Sequence, residues 1–291
     1  MILVTGSTGN FGQAAIDYLL RKEIEPGNIA ALARDKNKAA GLSAKGINVR
    51  TGDYDDYNSL LRAFKGIDKL LLISASDIAN RLRQQENAVK AAKEVGVKHI
   101  VYTSFVRKNE TDTSPIALVG KAHIETDRLI KASGIPYTIM LNSLYADILP
   151  MFMGDKVLET GIFLPAGEGK TSFTSRKDMA EAAACILTGE GHFNKSYVIA
   201  NTRTYSLYDV AEILSRLSGK KIAYLKPSAE VYTETLSKAG VPAEYIGMFA
   251  GFCEAIKQGE FDTTTTDLEN LTGRPVTTLK EFLRSVYFPG K

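Results

Sequence analysis

The chain is 291 residues long, 44% hydrophobic and 24% charged, with a formal net charge of +3. That balance suits one large globular unit or two closely joined ones. It lacks the basic excess of a nucleic-acid-binding surface, and no stretch reaches the roughly 20 apolar residues of a membrane-spanning helix. Cys185 and Cys253 lie far apart in apolar helical patterns and read as free buried thiols; three histidines in no ligand spacing argue against a metal. The expectation is a cytoplasmic protein without a signal peptide, because Ile2–Val4 is too short for one and leads straight into glycines.

Ile2–Val4 is an apolar strand running into Thr5-Gly6-Ser7-Thr8-Gly9-Asn10-Phe11-Gly12. A segment with apolar or small residues at Phe11, Ala14, Ala15, Tyr18 and Leu19 follows, which is a helical period. Strand, glycine turn and helix N-terminus make a binding place for a dinucleotide pyrophosphate. Gly6 would allow the tight turn, Gly9 would let phosphate oxygens approach the backbone, and Gly12 would bring the helix close to the strand. The free N–H groups of the first helical turn would face the anion. Thr5, Gly6, Thr8, Gly9, Asn10, Phe11 and Gly12 are therefore candidate cofactor contacts. The spacing is G-x-x-G-x-x-G rather than the general G-x-G-x-x-G, so the strand before it and the helix after it carry the reading.

Next come a buried strand at 29–33 ending at Arg34, a polar helix over 36–45 stopped by Gly46, and a strand at 47–49 leading into Thr51-Gly52-Asp53-Tyr54. A helix over 57–64 ends at Gly66. The continuous apolar run 69–73 suits a parallel strand buried on both faces. A helix over 78–95, a strand at 99–103, a helix over 116–132 and a strand at 135–141 complete the series, with Pro136 at a strand start where a sheet tolerates it. Such alternation defines an α/β class, a Rossmann-like doubly wound parallel sheet with right-handed crossovers. Ligands in such sheets sit beyond the carboxyl ends of the strands, which singles out Arg34, Asp53, Ser74, Thr103, Ser104, Asn142 and Tyr145. In the second half, Ser175, Ser206 and Thr278 each precede an acid by three residues and open helices. Short strands fall at 197–200 and 222–225, and Thr263–Thr266 reads as the start of a helix. Residues 1–145 are expected to bind the dinucleotide. Residues 146–291 form a smaller C-terminal α/β substrate region or lid, from which the 175–200 segment returns to the core.

An NAD-type site places an acid at the end of the second strand. Here Arg34 stands there, and its planar guanidinium suits the 2′-phosphate of NADPH better than the bare ribose of NADH. Lys38, one turn on, could assist; Asp35 could instead pair with Arg34, and a plain solvated charge is the bland alternative. Asp53 is placed to accept from the adenine amino group or to bond its own turn, with Tyr54 beside it.

The stretches Thr5-Gly6-x-x-Gly9-x-x-Gly12, Leu32-Ala-Arg-Asp35, Gly52-Asp-Tyr54 and Gly134-Ile-Pro-Tyr-Thr138 resemble the atypical short-chain dehydrogenases. Lys69-Leu-Leu-Leu-Ile-Ser74, Val97-Lys-His-Ile-Val-Tyr-Thr103, His123-Ile-Glu125, Asn142 with Tyr145, and Gly219-Lys220 place the likeness in the NmrA-like branch, beside its quinone and triphenylmethane reductases. It covers nearly the whole chain. The resemblance implies NADPH, no flavin, and direct hydride transfer to a quinone-like or dye-like small molecule, with neither nucleic acid nor membrane as partner. Monomer and homodimer both suit the composition.

Typical short-chain dehydrogenases use Tyr-x-x-x-Lys on the helix after the fifth strand. Lys121 stands where that lysine would be, to touch the ribose or simply to pair with Glu125 on the surface; Ala117, which has no proton to give, stands where the tyrosine would be. A quinone is electrophilic enough to take hydride first and a proton from water afterwards, whereas alcohol-forming reduction needs both together. Ala117 therefore disfavours sugar-epimerase chemistry. Thr103 and Ser104 are expected near the nicotinamide and its ribose, and Ser74 near the ribose and pyrophosphate. Asn142 and Tyr145 should face the acceptor, Tyr145 as a stacking ring or as a packed helix-start residue. Phe105 and Phe152 would add apolar walls or simply pack in the core, and His123 reads as a structural histidine, with an approach to the pocket as the alternative. A reading of a different class is a redox-sensing regulator that binds NADP(H) with little or no turnover and reports to a protein partner.

Overall fold

The computed structural model describes residues 1–290. Seven strands, β1 (Ile2–Val4), β2 (Ile29–Ala33), β3 (Asn48–Thr51), β4 (Lys69–Leu72), β5 (His99–Phe105), β6 (Tyr137–Asn142) and β7 (Lys195–Ile199), form one sheet in the order β3-β2-β1-β4-β5-β6-β7. All the pairings are parallel; Val4, for example, stands opposite Ala31 on one side and Leu71 on the other. The order reverses between β1 and β4, the topological switch point at which such sheets open a crevice.

The sheet is covered on both faces, as the apolar runs of its strands require. Helices α1 (Asn10–Arg21) and α5 (Arg176–Thr188) pack with Val4, Ala31, Leu71 and Met140 on one face. Helices α2 (Tyr57–Phe64), α3 (Arg81–Glu94) and α4 (Ala117–Ala132) cover the other with Phe64, Leu60, Val89, Ala92 and Ile130. Where a polar helix was expected over 36–45, the chain makes a 3₁₀ turn, Asn37–Ala39, and a short helix, Ala40–Ala44. Asp35 Oδ1 accepts from the Asn37 N–H and starts a turn there, and Gly41 weakens the short helix after it.

The second half forms its own core around Leu164, Phe173, Leu207, Leu214, Ile256, Phe261 and Leu283. Ser206 with Asp209 and Thr278 with Glu281 close reciprocal capping boxes. Ser175 caps α5, but Asp178 does not answer it; its carboxylate takes Arg274 and the Thr277 N–H instead, tying the C-terminal segment to α5. The helix Ala229–Lys238 was not legible in the sequence, whereas Ala243–Lys257 carries the apolar helical pattern around Cys253. Glu260 is buried and accepts from the Lys108 and Asn109 N–H groups, each at 2.9 Å, fastening the loop after β5 to this second core. Both cysteines are free. Among the described residues no helix is long and apolar enough to cross a membrane.

Candidate active site

The glycine turn is built by close backbone contact. Gly6 lies at φ +55°, in the left-handed region, with Ile73 against it. A Cβ on Gly12 would sit 2.4 Å from the Gly6 carbonyl oxygen, so α1 can start this near the turn only with glycine there; a Cβ on Gly9 would lie 3.3 Å from the same oxygen. Gly9 is the N-cap of α1 and offers no side-chain cap. The first bond of the helix runs from the Gln13 N–H to the Gly9 carbonyl, which leaves the amides of Asn10, Phe11 and Gly12 as open donors at the positive end of the helix dipole. Ser7 Oγ donates to the Leu32 carbonyl at 2.7 Å and locks the turn onto β2.

These elements enclose a groove of about 370 Å³ lined by Gly6, Thr8, Gly9, Arg34, Asp53, Tyr54 and Ser74. Several expected contacts play other parts. Thr5 is fully buried; its hydroxyl donates to the Leu71 carbonyl and accepts from the Ile73 N–H at 2.8 Å, so it clamps β1 to β4 rather than facing the groove. The Phe11 ring is buried in the core, and only its backbone belongs to the helix end. Asn10 lines a neighbouring hollow with Tyr18 and Arg176. Lys38 is exposed and outside the groove wall, because the 3₁₀ turn replaces the helical register that would have carried it back. Arg34 does line the groove, and among the described residues it makes no ion pair. Asp53 Oδ1 accepts from the Asp55 N–H at 3.0 Å in an Asx turn. The Tyr54 hydroxyl donates to the Ile73 carbonyl at 2.8 Å, and burial raises its pKa, so the phenol stays neutral and braces the end of β4. An uncapped helix end, a cradle that any Cβ would narrow and an unpaired guanidinium fit a phosphorylated dinucleotide.

Ser74 also lines a second cavity, of about 210 Å³, so the groove and the cavity meet at this residue. Thr103 is buried, and its Oγ1 accepts the Ser74 N–H at 2.9 Å; it positions Ser74 and lines neither the groove nor the cavity. The cavity is walled by Phe105, Val119, Ile148, Met151, Phe152, Met248, Phe252 and Phe261, and its polar groups are Ser104, Arg81, His123, Asn142, Ser143 and Tyr145. Ser104 Oγ donates to Asp127 Oδ2 at 3.1 Å, within the buried Asp127–Arg107 pair. Tyr145 is extended and bridges to Thr174; the Arg176 guanidinium covers its ring, 4.5 Å from the centroid, and burial raises its phenol pKa. Asn142, at the end of β6, is 1% exposed; its carboxamide lies beside the Tyr145 phenol, and neither its Oδ1 nor its Nδ2 makes a hydrogen bond of good geometry. A buried carboxamide with neither end well bonded is costly and rare.

His123 joins both of its readings: it stands on the cavity wall and also belongs to a buried hydrogen-bond chain. Its Nδ1 lies 2.8 Å from the Tyr102 hydroxyl; that hydroxyl donates to Gln85 Oε1, Gln85 Nε2 to Thr126 Oγ1, and Thr126 Oγ1 to the Ala122 carbonyl. The direction of these bonds makes Nδ1 the donor and leaves Nε2 as acceptor, 3.4 Å from Arg81 Nη1. Burial, with Arg81 and Arg107 nearby, holds the imidazole well below its ordinary pKa and hence neutral. Arg81 was missed by sequence reasoning, although an arginine, two glutamines and a threonine on core-facing helix positions were a signal of buried polarity.

Lys121 is displaced from its expected role. It is exposed and lies with Ala117 in an outer hollow beside Asn109, Asp112 and Glu125. Helical phase explains this: Val119 and His123, one turn apart, face the cavity, and a residue midway between them points away. Among the described residues no group of three His, Cys, Asp or Glu is placed to hold a metal.

A doubly wound parallel sheet with an open helix N-terminus at its switch point, leading into an apolar cavity, defines a Rossmann-type dinucleotide-binding protein. More particularly, the chain belongs to the NmrA-like family, whose pattern matches residues 1–283. It is 38% identical over 289 residues to quinone oxidoreductase 2 of Escherichia coli K12, covering 99% of each chain. Its fold matches that of an NADPH-dependent quinone oxidoreductase from E. coli complexed with NADPH, with a TM-score of 0.92 and 35% identity over 99% of this chain and 100% of the other. It also matches the triphenylmethane reductase of Citrobacter sp. complexed with NADP(H), with a TM-score of 0.90 and 36% identity over 98% of this chain and 99% of the other.

Proposed function

We propose that this chain, an NAD(P)H-dependent oxidoreductase, reduces a quinone-like or similarly conjugated small molecule with NADPH and without a flavin. The observation that carries the reading is the junction at Ser74, where a polar groove with phosphate-type donors opens into a cavity walled by aromatic and apolar side chains. The names of the E. coli and Citrobacter relatives support the same choice of cofactor and acceptor class.

The amides of Asn10, Phe11 and Gly12 would hold the pyrophosphate, Arg34 the 2′-phosphate, and the free carboxylate oxygen of Asp53 the adenine amino group. Bound there, NADPH supplies a hydride. The chain's own contribution is geometric and electrostatic. Ser74 is fixed by Thr103 at the junction, and Phe105, Phe152 and Phe252 exclude water and press a planar acceptor toward it. Tyr102 and Tyr145 are held as neutral phenols by burial and His123 as neutral imidazole, so the cavity offers no ready acid, and the reduced acceptor takes its proton from water. Steady-state NADPH oxidation with a panel of quinones, on protein freed of flavin, tests this. Acceptor-dependent turnover is expected; tight binding of NADPH with no turnover on any acceptor would leave the redox-sensing regulator.

A further inference from the structure

Among the described residues Arg81 is the one formal charge in the wall of the acceptor cavity. It is 8% exposed, and among the same residues no acidic side chain lines the cavity and no ion pair forms at Arg81. Asp77, whose charge acts on it, uses its carboxylate on Asn80 instead. A guanidinium taken out of water without a counter-charge is an expensive feature to keep. It is also tightly oriented: Nε donates to the Ala75 carbonyl at 2.6 Å and Nη1 leans on His123 Nε2, whose acceptor state is set by the Tyr102–Gln85–Thr126 chain. Asn142 lines the same cavity. A guanidinium without a counter-charge and a carboxamide without a well-formed hydrogen bond, both more than nine-tenths buried, therefore share one small cavity.

We infer that Arg81 and Asn142 form the receptor for an acceptor oxygen that carries or develops negative charge, and that this makes the cavity selective for quinones, ionised hydroxyquinones above all, over cationic dyes. The inference rests on the acceptor class proposed above. In the balanced reaction, the dihydropyridine C–H bond breaks and its hydrogen leaves with both electrons. The NADPH is oxidised to NADP⁺, the quinone is reduced by two electrons to a hydroquinone monoanion, and the anionic oxygen then takes one proton from water. Arg81 and Asn142 would meet the oxygen at the stage when its charge is largest, which is where fixed donors in a dry site act most strongly. A triarylmethane cation has no such oxygen. It takes the same hydride, loses its charge and needs no proton, so a guanidinium in the cavity opposes its entry.

The experiment is calorimetric titration of the NADP⁺-loaded protein with 2-hydroxy-1,4-naphthoquinone, whose acidic hydroxyl is ionised at neutral pH, and with neutral 1,4-naphthoquinone. The native protein is expected to prefer the anion by about tenfold or more. Arg81→Met should erase that preference, Arg81→Lys should keep part of it, and Asn142→Ala should reduce it. Should Arg81→Met fail to fold, the lysine and alanine variants still decide. Equal affinity for the two ligands in the native protein, equal loss of both in the variants, or no binding of either overturns the assignment. Failure of the proposed function looks different: the native protein would discriminate between the ligands yet oxidise NADPH with none of them.

Discussion

The groove and the cavity meet at one serine but recognise by different means. The groove works through backbone: amides of a helix end, a turn that tolerates no Cβ at Gly12, and one guanidinium at its solvent rim. The cavity works through side chains drawn from β5, β6, α3, α4, the short helix Leu149–Met153 and the helix Ala243–Lys257, which are distant in the chain. A site made of backbone resists change in all but a few glycines, whereas a site made of side chains can be retuned residue by residue. The contrast predicts that a fixed cofactor groove can serve different acceptors.

The largest effect should come from breaking the groove where it is least tolerant. Gly12→Val places carbon against the Gly6 carbonyl and should weaken NADPH binding by more than about a hundredfold, a loss of roughly 3 kcal/mol, measured by calorimetry. An unchanged affinity would mean that the turn does not hold the pyrophosphate.

The second test uses acid to load two buried histidines of the first half, His99 on β5 and His123 on α4. Burial lowers the pKa of His99 to about 4 and holds His123, on the cavity wall, below the ordinary value. The unfolded chain therefore binds protons that the folded chain refuses as pH falls from about 6.5 toward 4, and stability is lost over that window. The His99 share would reach about 3 kcal/mol once the pH lies below the folded-state value as well. Denaturant unfolding across this range should show the loss, and His99→Gln should flatten it; a flat profile in the native protein contradicts the burial argument.

Arg34→Ala sharpens the comparison at the groove's rim. It should lower NADPH affinity by about ten- to a hundredfold while leaving NADH nearly untouched, since a charged bond to phosphate contributes on the order of 1.5–3 kcal/mol when well formed. Equal loss for both would remove the 2′-phosphate role. The smallest effect belongs to Lys121→Ala. A residue in the outer hollow should change kcat/KM less than about twofold; a large drop would bring it back to the ribose.

How legible each part was depends on the same contrast. The strands from Ile2 to Asn142, the glycine turn and the capping residues Ser206 and Thr278 are local patterns in which period, glycine and cap act over a few residues. The sequence also points to Arg34, Asp53, Ser74, Asn142 and Tyr145, because strand ends are where such sheets bind. It could not show that Thr5 and Thr103 turn their hydroxyls to neighbouring strands, since both lie at strand ends and only the pairing decides which way they serve. Lys121 was misplaced because a motif spacing does not fix the phase of a helix against a cavity. Arg81 and the cavity face of the helix Ala243–Lys257 were missed for another reason: their meaning lies in contacts with residues from about 25 to more than 100 positions away.

The junction at Ser74 is tested most directly by a single turnover. Protein mixed with one equivalent of NADPH, without flavin and without oxygen, is exposed to 1,4-naphthoquinone and the products are counted. One hydroquinone formed for each NADPH consumed is the predicted result; NADPH that stays bound and unoxidised beside the quinone would contradict it.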